Sequence, residues 1–154
     1  MQFVFDSGAF INGAQHHYFL DTMAPVWDLV ETAIDDGRIV VPREVYREVR
    51  EQEDAISELV HRHAAAVAEP SEQVQILAGQ YQAKYFKTGL HDRADPFVMA
   101  EARLRSATVV TYEGITFSGK PARGAERKLP ALCGKESIAV CTLPQALQSL
   151  GLKL

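Results

Sequence analysis

The sequence predicts an α/β fold in which a mostly parallel sheet lies between two layers of helices. Short apolar runs bounded by turn residues alternate along the chain with longer segments whose apolar residues recur at helical spacing. That alternation is typical of strand–helix–strand units, whose helices cover both faces of a parallel sheet. The 154 residues contain no internal repeat and no linker-like change of composition. We therefore expect residues 1–154 to form a single domain.

The first strand is predicted at residues 2–6, QFVFD, an apolar run that ends on Asp6. A parallel strand that is covered on both faces has this uninterrupted apolar character, so we expect it at the centre of the sheet. Residues 7–12 are expected to form the turn and the first helical turn. A loop that contains His16 and His17 follows.

The second strand follows an amphipathic helix. Residues 24–37 have Pro25 at the start of the predicted helix and Gly37 at its end, the positions that these two residue types prefer. Residues 38–41, RIVV, are the predicted strand, and Pro42 ends it.

A long helix is predicted over residues 44–66, with a buried stripe formed by Val45, Val49, Ile56 and Leu59. At 100° per residue, Glu48 lies about 60° from Val45, on the flank of that buried stripe. Glu48 is therefore the acid of this helix with the placement of a site residue, whereas the other glutamates are expected to be solvated.

The third strand carries acids on both sides. After a predicted helix at residues 72–86, Asp95 fits a helix N-cap with Pro96 at the first helical position. The strand at residues 107–111, ATVVT, follows this short helix, and Glu113 stands just beyond its end.

Residues 114–130 differ in composition from the rest of the chain, with three glycines and two prolines. They predict an irregular surface segment that is either a solvated loop or a positive patch. Its cations are Lys120, Arg123, Arg127 and Lys128. A short helix at residues 132–137, a strand at residues 138–142 and a closing helix at residues 143–150 complete the expected domain.

Composition limits the function classes. The formal net charge of −4 argues against binding nucleic acid by bulk electrostatics, but active-site carboxylates in a nuclease would also make the count negative. Cys133 and Cys141 have no zinc-site spacing, so we expect buried, reduced thiols. No apolar run approaches the ~20 residues of a membrane span, and the N-terminus lacks a basic signal region. We expect a soluble, cytoplasmic protein.

Four acids are predicted to stand at or near element ends, where ligands bind in open α/β sheets. They are Asp6, Glu48, Asp95 and Glu113. Carboxylates packed together repel one another, and Mg²⁺ or Mn²⁺ selects such an all-oxygen cluster. With a metal bound there, a water can be deprotonated and a phosphodiester oxygen polarised.

The stretches around these acids are FVFDSGAFI, VPREVYREV, ADPFVMAEA and ATVVTYE. In this order they resemble the acidic motifs of PIN-domain nucleases, most closely a PIN-like family of small prokaryotic proteins related to VapC-type toxins. The resemblance implies a PIN-like three-layer α/β/α fold. It also implies that Asp6, Glu48, Asp95 and Glu113 are catalytic, metal-binding acids, with Ser7 and Thr111 as polar neighbours. Glu113 departs from the family's more common Thr-x-Asp pattern.

The activity implied by this resemblance is that of a Mg²⁺- or Mn²⁺-dependent endoribonuclease, the toxin of a type II toxin–antitoxin pair. RNA would be the substrate, a cognate antitoxin the partner and a homodimer the assembly, with the basic segment contacting RNA phosphates. Two alternatives remain: a non-catalytic PIN-like scaffold that binds RNA or protein, and a DNA nuclease or phosphatase that uses the same acids. A haloacid-dehalogenase-like phosphatase is disfavoured because Ser7 and Gly8 follow Asp6 where that class has a DxD motif. No phosphate-binding glycine fingerprint is present either.

Overall fold

A parallel sheet forms the centre of the structure, a computed structural model that describes residues 1–86, 94–112 and 128–152. Within these ranges the sheet has four strands in the order β2-β1-β3-β4, all parallel. The strands are β1 (Phe3–Phe5), β2 (Ile39–Val40), β3 (Thr108–Val110) and β4 (Val140–Cys141). The predicted α/β class is confirmed, and β1 is an interior strand, as its apolar sequence indicates.

Eight α-helices lie within the described ranges. They are α1 (Ser7–Asn12), α2 (Ala24–Asp35), α3 (Arg43–Arg50), α4 (Ala55–His61), α5 (Glu72–Tyr85), α6 (Asp95–Arg105), α7 (Leu129–Lys135) and α8 (Leu143–Ser149). A π-helix (Gly13–His17) follows α1, and a short 3₁₀ helix (Ala64–Ala66) follows α4. None of the described helices is long and apolar enough to cross a membrane.

The strand order places helices on both faces of the sheet. The chain moves outward from β1 to β2 in one direction and from β3 to β4 in the other, and right-handed crossovers then put the connecting helices on opposite faces. Helix α2 contacts α8, whereas α6 contacts β1, β3 and α5. The side chains of Phe5, Trp27 and Met99 are among the largest in the resulting core.

The prediction of one long helix over residues 44–66 is wrong, because two helices occupy this stretch. Helix α3 ends at Arg50, Glu53 adopts a left-handed φ of 51°, and α4 starts at Ala55. The carboxylate of Asp54 caps α4 by accepting a hydrogen bond from Ser57 N at 3.1 Å. The apolar stripe continues into the second helix, which is why periodicity alone does not reveal the break.

Other predicted boundaries also need correction. Helix α6 has Ala94 as its N-cap and no side-chain cap, so the prediction that Asp95 caps this helix is wrong. The stretch with His16 and His17 is mostly π-helix and not loop. Pro130, predicted to be irregular, lies inside α7, which starts earlier and ends earlier than the predicted helix at residues 132–137. A proline in the first helical turn removes no intrahelical hydrogen bond, so it is tolerated there.

Candidate functional site

The site residues meet at the carboxyl ends of β1 and β3. Asp6 directly follows β1 and Thr111 directly follows β3, and the Asp6 N–H donates to the Val110 carbonyl at 3.0 Å. The chain leaves these two neighbouring strands in opposite directions, which makes this edge a topological switch point. Ligands of open α/β sheets bind at such a point.

The carboxylate of Asp6 is almost fully buried, with 2% of the residue exposed. Its Oδ1 accepts a hydrogen bond from Ser7 N at 2.8 Å, and its Oδ2 accepts one from the Thr111 hydroxyl at 3.0 Å. A buried carboxylate requires such donors, because its desolvation is otherwise very unfavourable. The two donors come from α1 and from the end of β3, so the packing of these elements fixes the orientation of Asp6.

Glu48 is connected to Asp6 through Ser7. The Ser7 hydroxyl donates to Glu48 Oε2 at 2.7 Å, and the Ala94 N–H donates to Glu48 Oε1 at 3.0 Å. Ala94 is the N-cap of α6. Glu48 therefore joins α3 to the beginnings of α1 and α6, and its flank position on the helix is what makes these contacts reachable.

Asp95, the first residue of α6, is also buried, with 2% exposed. Its position relative to Asp6 is revealed by the buried thiol of Cys133. Burial, followed by the charges of Asp95 and Asp6, raises the pKa of Cys133 to about 12. Both carboxylates thus lie close enough to act on one sulfur, which stays protonated. Cys133 and Cys141 are both free cysteines, the first buried and the second partly buried.

Several residues predicted for the site lie outside the described ranges. They are Glu113, Lys120, Arg123 and Arg127. Of the predicted basic segment, Lys128 is described, and it is exposed at the N-cap of α7. The structure therefore links Asp6, Ser7, Glu48 and Thr111 by hydrogen bonds and places Asp95 next to them.

The donor atoms of this site are of one chemical kind. Within residues 1–86, 94–112 and 128–152, no three His, Cys, Asp or Glu side chains form a group that could hold a metal ion. The described acids offer carboxylate oxygens, the donors that Mg²⁺ and Mn²⁺ prefer. Hydrogen bonds from Ser7 and Thr111 orient the carboxylates, as the outer partners of metal ligands do. In chemical type, these residues fit a hard divalent cation.

An aromatic pair beside the acids was not predicted from the sequence. The His17 and Tyr112 rings stack with their centroids 5.2 Å apart and an interplanar angle of 16°. Burial, with a smaller effect of Tyr18, raises the pKa of Tyr112 to about 12, so its phenol stays protonated. The only sequence signal for this pair is the position of Tyr112, directly after Thr111.

Solved structures share this fold, and two of them are chains of VapBC complexes. A chain of DNA-bound VapBC from Salmonella typhimurium is 14% identical, with a TM-score of 0.56 over 93% of this chain and 98% of that chain. A chain of VapBC-1 from nontypeable Haemophilus influenzae is 12% identical, with a TM-score of 0.55 over 94% of this chain and 99% of that chain. At such low identity the likeness concerns the fold, and it confirms the predicted PIN-like α/β arrangement.

Sequence comparison identifies the family. No curated protein matches the chain. One family profile, described as a domain of unknown function (DUF4411), matches residues 3–154, almost the whole chain. The chain therefore belongs to the family of this domain, DUF4411.

Proposed function

We propose that this protein is a Mg²⁺- or Mn²⁺-dependent endoribonuclease and the toxin of a toxin–antitoxin pair. The observation that carries the proposal is the buried Asp6 at the switch point, held by Ser7 and Thr111 and joined through Ser7 to Glu48. The fold shared with chains of two VapBC complexes supports it. It also supports a second protein, an antitoxin, as the partner of this chain.

The proposed chemistry assigns a role to each described acid. Asp6, Glu48 and Asp95 do not by themselves form a metal-holding group among the described residues, so the proposal assigns the metal to these three acids together with Glu113, which lies outside those residues. When bound, the metal would polarise the phosphodiester and lower the pKa of a water that attacks it. Ser7 and Thr111 keep the carboxylate of Asp6 in one orientation, and Ser7 does the same for Glu48. This matters because a ligand displaced by about 1 Å can reduce the rate on the order of 10²-fold.

Cleavage of single-stranded RNA by the purified, partner-free protein tests the proposal. We expect cleavage with Mg²⁺ or Mn²⁺, none in excess chelator, and recovery when the metal is restored, since the carboxylates alone supply no electrophile. The same protein should be offered single-stranded DNA and a phosphomonoester. Cleavage that persists in excess chelator would show that the activity does not depend on a divalent metal ion. Hydrolysis of DNA or the monoester alone would favour another hydrolase, and RNA binding without cleavage would favour the scaffold.

The basic segment gives a prediction about salt. If each of its cations contacts one phosphate, the logarithm of the RNA association constant should fall with the logarithm of salt concentration by about 0.7 per contact. Changing all four cations to glutamine should therefore flatten the slope by roughly 2.8. These are Lys120, Arg123, Arg127 and Lys128.

The matched control for this slope changes four exposed cations elsewhere to glutamine. These are Arg47, Arg62, Lys84 and Lys135. The slope of the control variant should equal that of the parent protein in fluorescence-anisotropy titrations at several salt concentrations. Equal slopes for the parent and the basic-segment variant would show that the segment does not contact the RNA.

A further inference from the structure

The stacked pair of His17 and Tyr112 lies immediately beside the acidic site. Tyr112 follows Thr111, whose hydroxyl donates to Asp6 Oδ2 at 3.0 Å. A Cβ atom added to Gly8 would lie 3.9 Å from both Asp6 Oδ2 and Tyr112 N. The backbone of Tyr112 and the carboxylate of Asp6 therefore both lie next to Gly8, which has no side chain.

The two rings differ in exposure in a way that suits a binding surface. Tyr112 is partly buried, and its hydroxyl is buried without a hydrogen-bond partner among the described residues. His17 stacks on this anchored ring and is itself exposed. A planar side chain held in a stacked arrangement has already lost much of its rotational freedom, so a further planar ring can stack on it at a smaller entropic penalty.

Nucleobases are the planar groups that a single-stranded RNA brings to this edge of the sheet. Proteins bind the unpaired bases of RNA largely by stacking them on aromatic side chains, including His and Tyr. Because every base has a π-face, such stacking holds the strand in position without reading its sequence.

We propose that His17 and Tyr112 form a stacking platform for a nucleobase adjacent to the phosphodiester that is cleaved. The proposal rests on the proposed ribonuclease function and adds to it a base-binding subsite. The platform positions the strand, so that the neighbouring phosphodiester lies over Asp6 and Glu48. His17 is a positioning residue here, because it touches the base and not the bond that breaks, and Tyr112 supports the ring of His17 from beneath.

The test compares RNA cleavage in Mg²⁺ for intact strands and for strands in which one nucleotide near the cleaved bond lacks its base. For the parent protein, removal of the base at one position should raise KM about ten- to hundredfold. His17→Ala should raise KM for the intact strand by a similar factor and should no longer respond to the missing base. His17→Phe should behave like the parent protein, because a phenyl ring retains the stacking surface.

Two controls separate stacking from folding and from metal binding. His16→Ala changes the neighbouring exposed histidine of the same π-helix and should leave KM unchanged. The shift in melting temperature caused by Mg²⁺ should be the same for His17→Ala as for the parent protein. The strands without a base test the parent protein itself, so they remain informative even if a variant folds poorly.

The outcomes distinguish the subsite from the activity. If the parent protein cleaves RNA but no missing base alters KM, the proposed base-binding platform is wrong. The proposed ribonuclease function is not affected by that result. The same holds if His17→Ala still responds to the missing base as the parent does. If the parent protein does not cleave RNA in Mg²⁺ at all, the proposed function fails and the platform fails with it.

Discussion

Asp6→Asn is expected to abolish the stabilisation that Mg²⁺ or Mn²⁺ gives the parent protein and to reduce RNA cleavage by orders of magnitude. A ligand that binds only the folded state stabilises it by about 2.7 kcal/mol at a hundredfold excess over Kd. The asparagine carbonyl oxygen can still accept from Ser7 N, and its amide can donate to the Thr111 hydroxyl oxygen. The fold should therefore survive, while the negative charge that attracts the cation is lost.

Thermal unfolding with and without metal measures this effect, and RNA cleavage is assayed on the same preparations. Asp21→Asn is the matched control, since it makes the same chemical change at an exposed position of the chain. The control should keep both the metal-dependent shift and the activity. A shift in Asp6→Asn as large as that of the parent would show that the metal binds elsewhere.

The sheet could be predicted from sequence because strand burial is written into short stretches. Phe3, Val4 and Phe5 are all buried, so the run that contains them has no polar interruption. The same local signal identifies β3, where Val109 and Val110 are buried between helices. Placing β1 inside the sheet follows from this alone, because only an interior parallel strand has both faces covered.

Helix ends are harder to predict from sequence than strands, since they depend on small local differences in free energy. Whether Ala94 or Asp95 occupies the N-cap changes which side chain can accept a backbone hydrogen bond, an effect of about 1 kcal/mol. The break between α3 and α4 depends in the same way on the cap made by Asp54. Apolar periodicity contains no information about either choice.

The connections within the candidate site are long-range and could not be derived from the sequence. The position of the acids at or near element ends gives no indication that Ser7 bridges two of them, with its backbone N–H donating to Asp6 and its hydroxyl donating to Glu48. The stacking of His17 on Tyr112 depends on the π-helix that follows α1, which no sequence pattern indicated. Such contacts are decided by packing between elements that are distant in the chain.

Asp95→Asn is expected to reduce metal-dependent RNA cleavage by orders of magnitude at a nearly unchanged melting temperature in metal-free buffer. Asp95 does not cap α6, so its replacement removes no side-chain cap. Loss of a carboxylate from the first turn weakens the interaction with the helix dipole by about 0.3–1 kcal/mol. Asp95 and Asp6 are both buried and both lie near Cys133, so removing one of two like charges should act in the opposite direction. The two effects offset each other, whereas the site loses a full negative charge.

Glu72→Gln provides the control for Asp95→Asn. Glu72 is an exposed acid in the first turn of α5, so its replacement weakens the same kind of helix-dipole interaction away from the candidate site. Melting temperatures of both variants without metal, and their rates of RNA cleavage with Mg²⁺, separate the helical role from the chemical one. A purely structural Asp95 would make the two variants alike, with little change in melting temperature and full activity. If Asp95→Asn cleaves RNA as fast as the parent protein, Asp95 is not a metal ligand, and the site must be built from Asp6, Glu48 and acids outside α6.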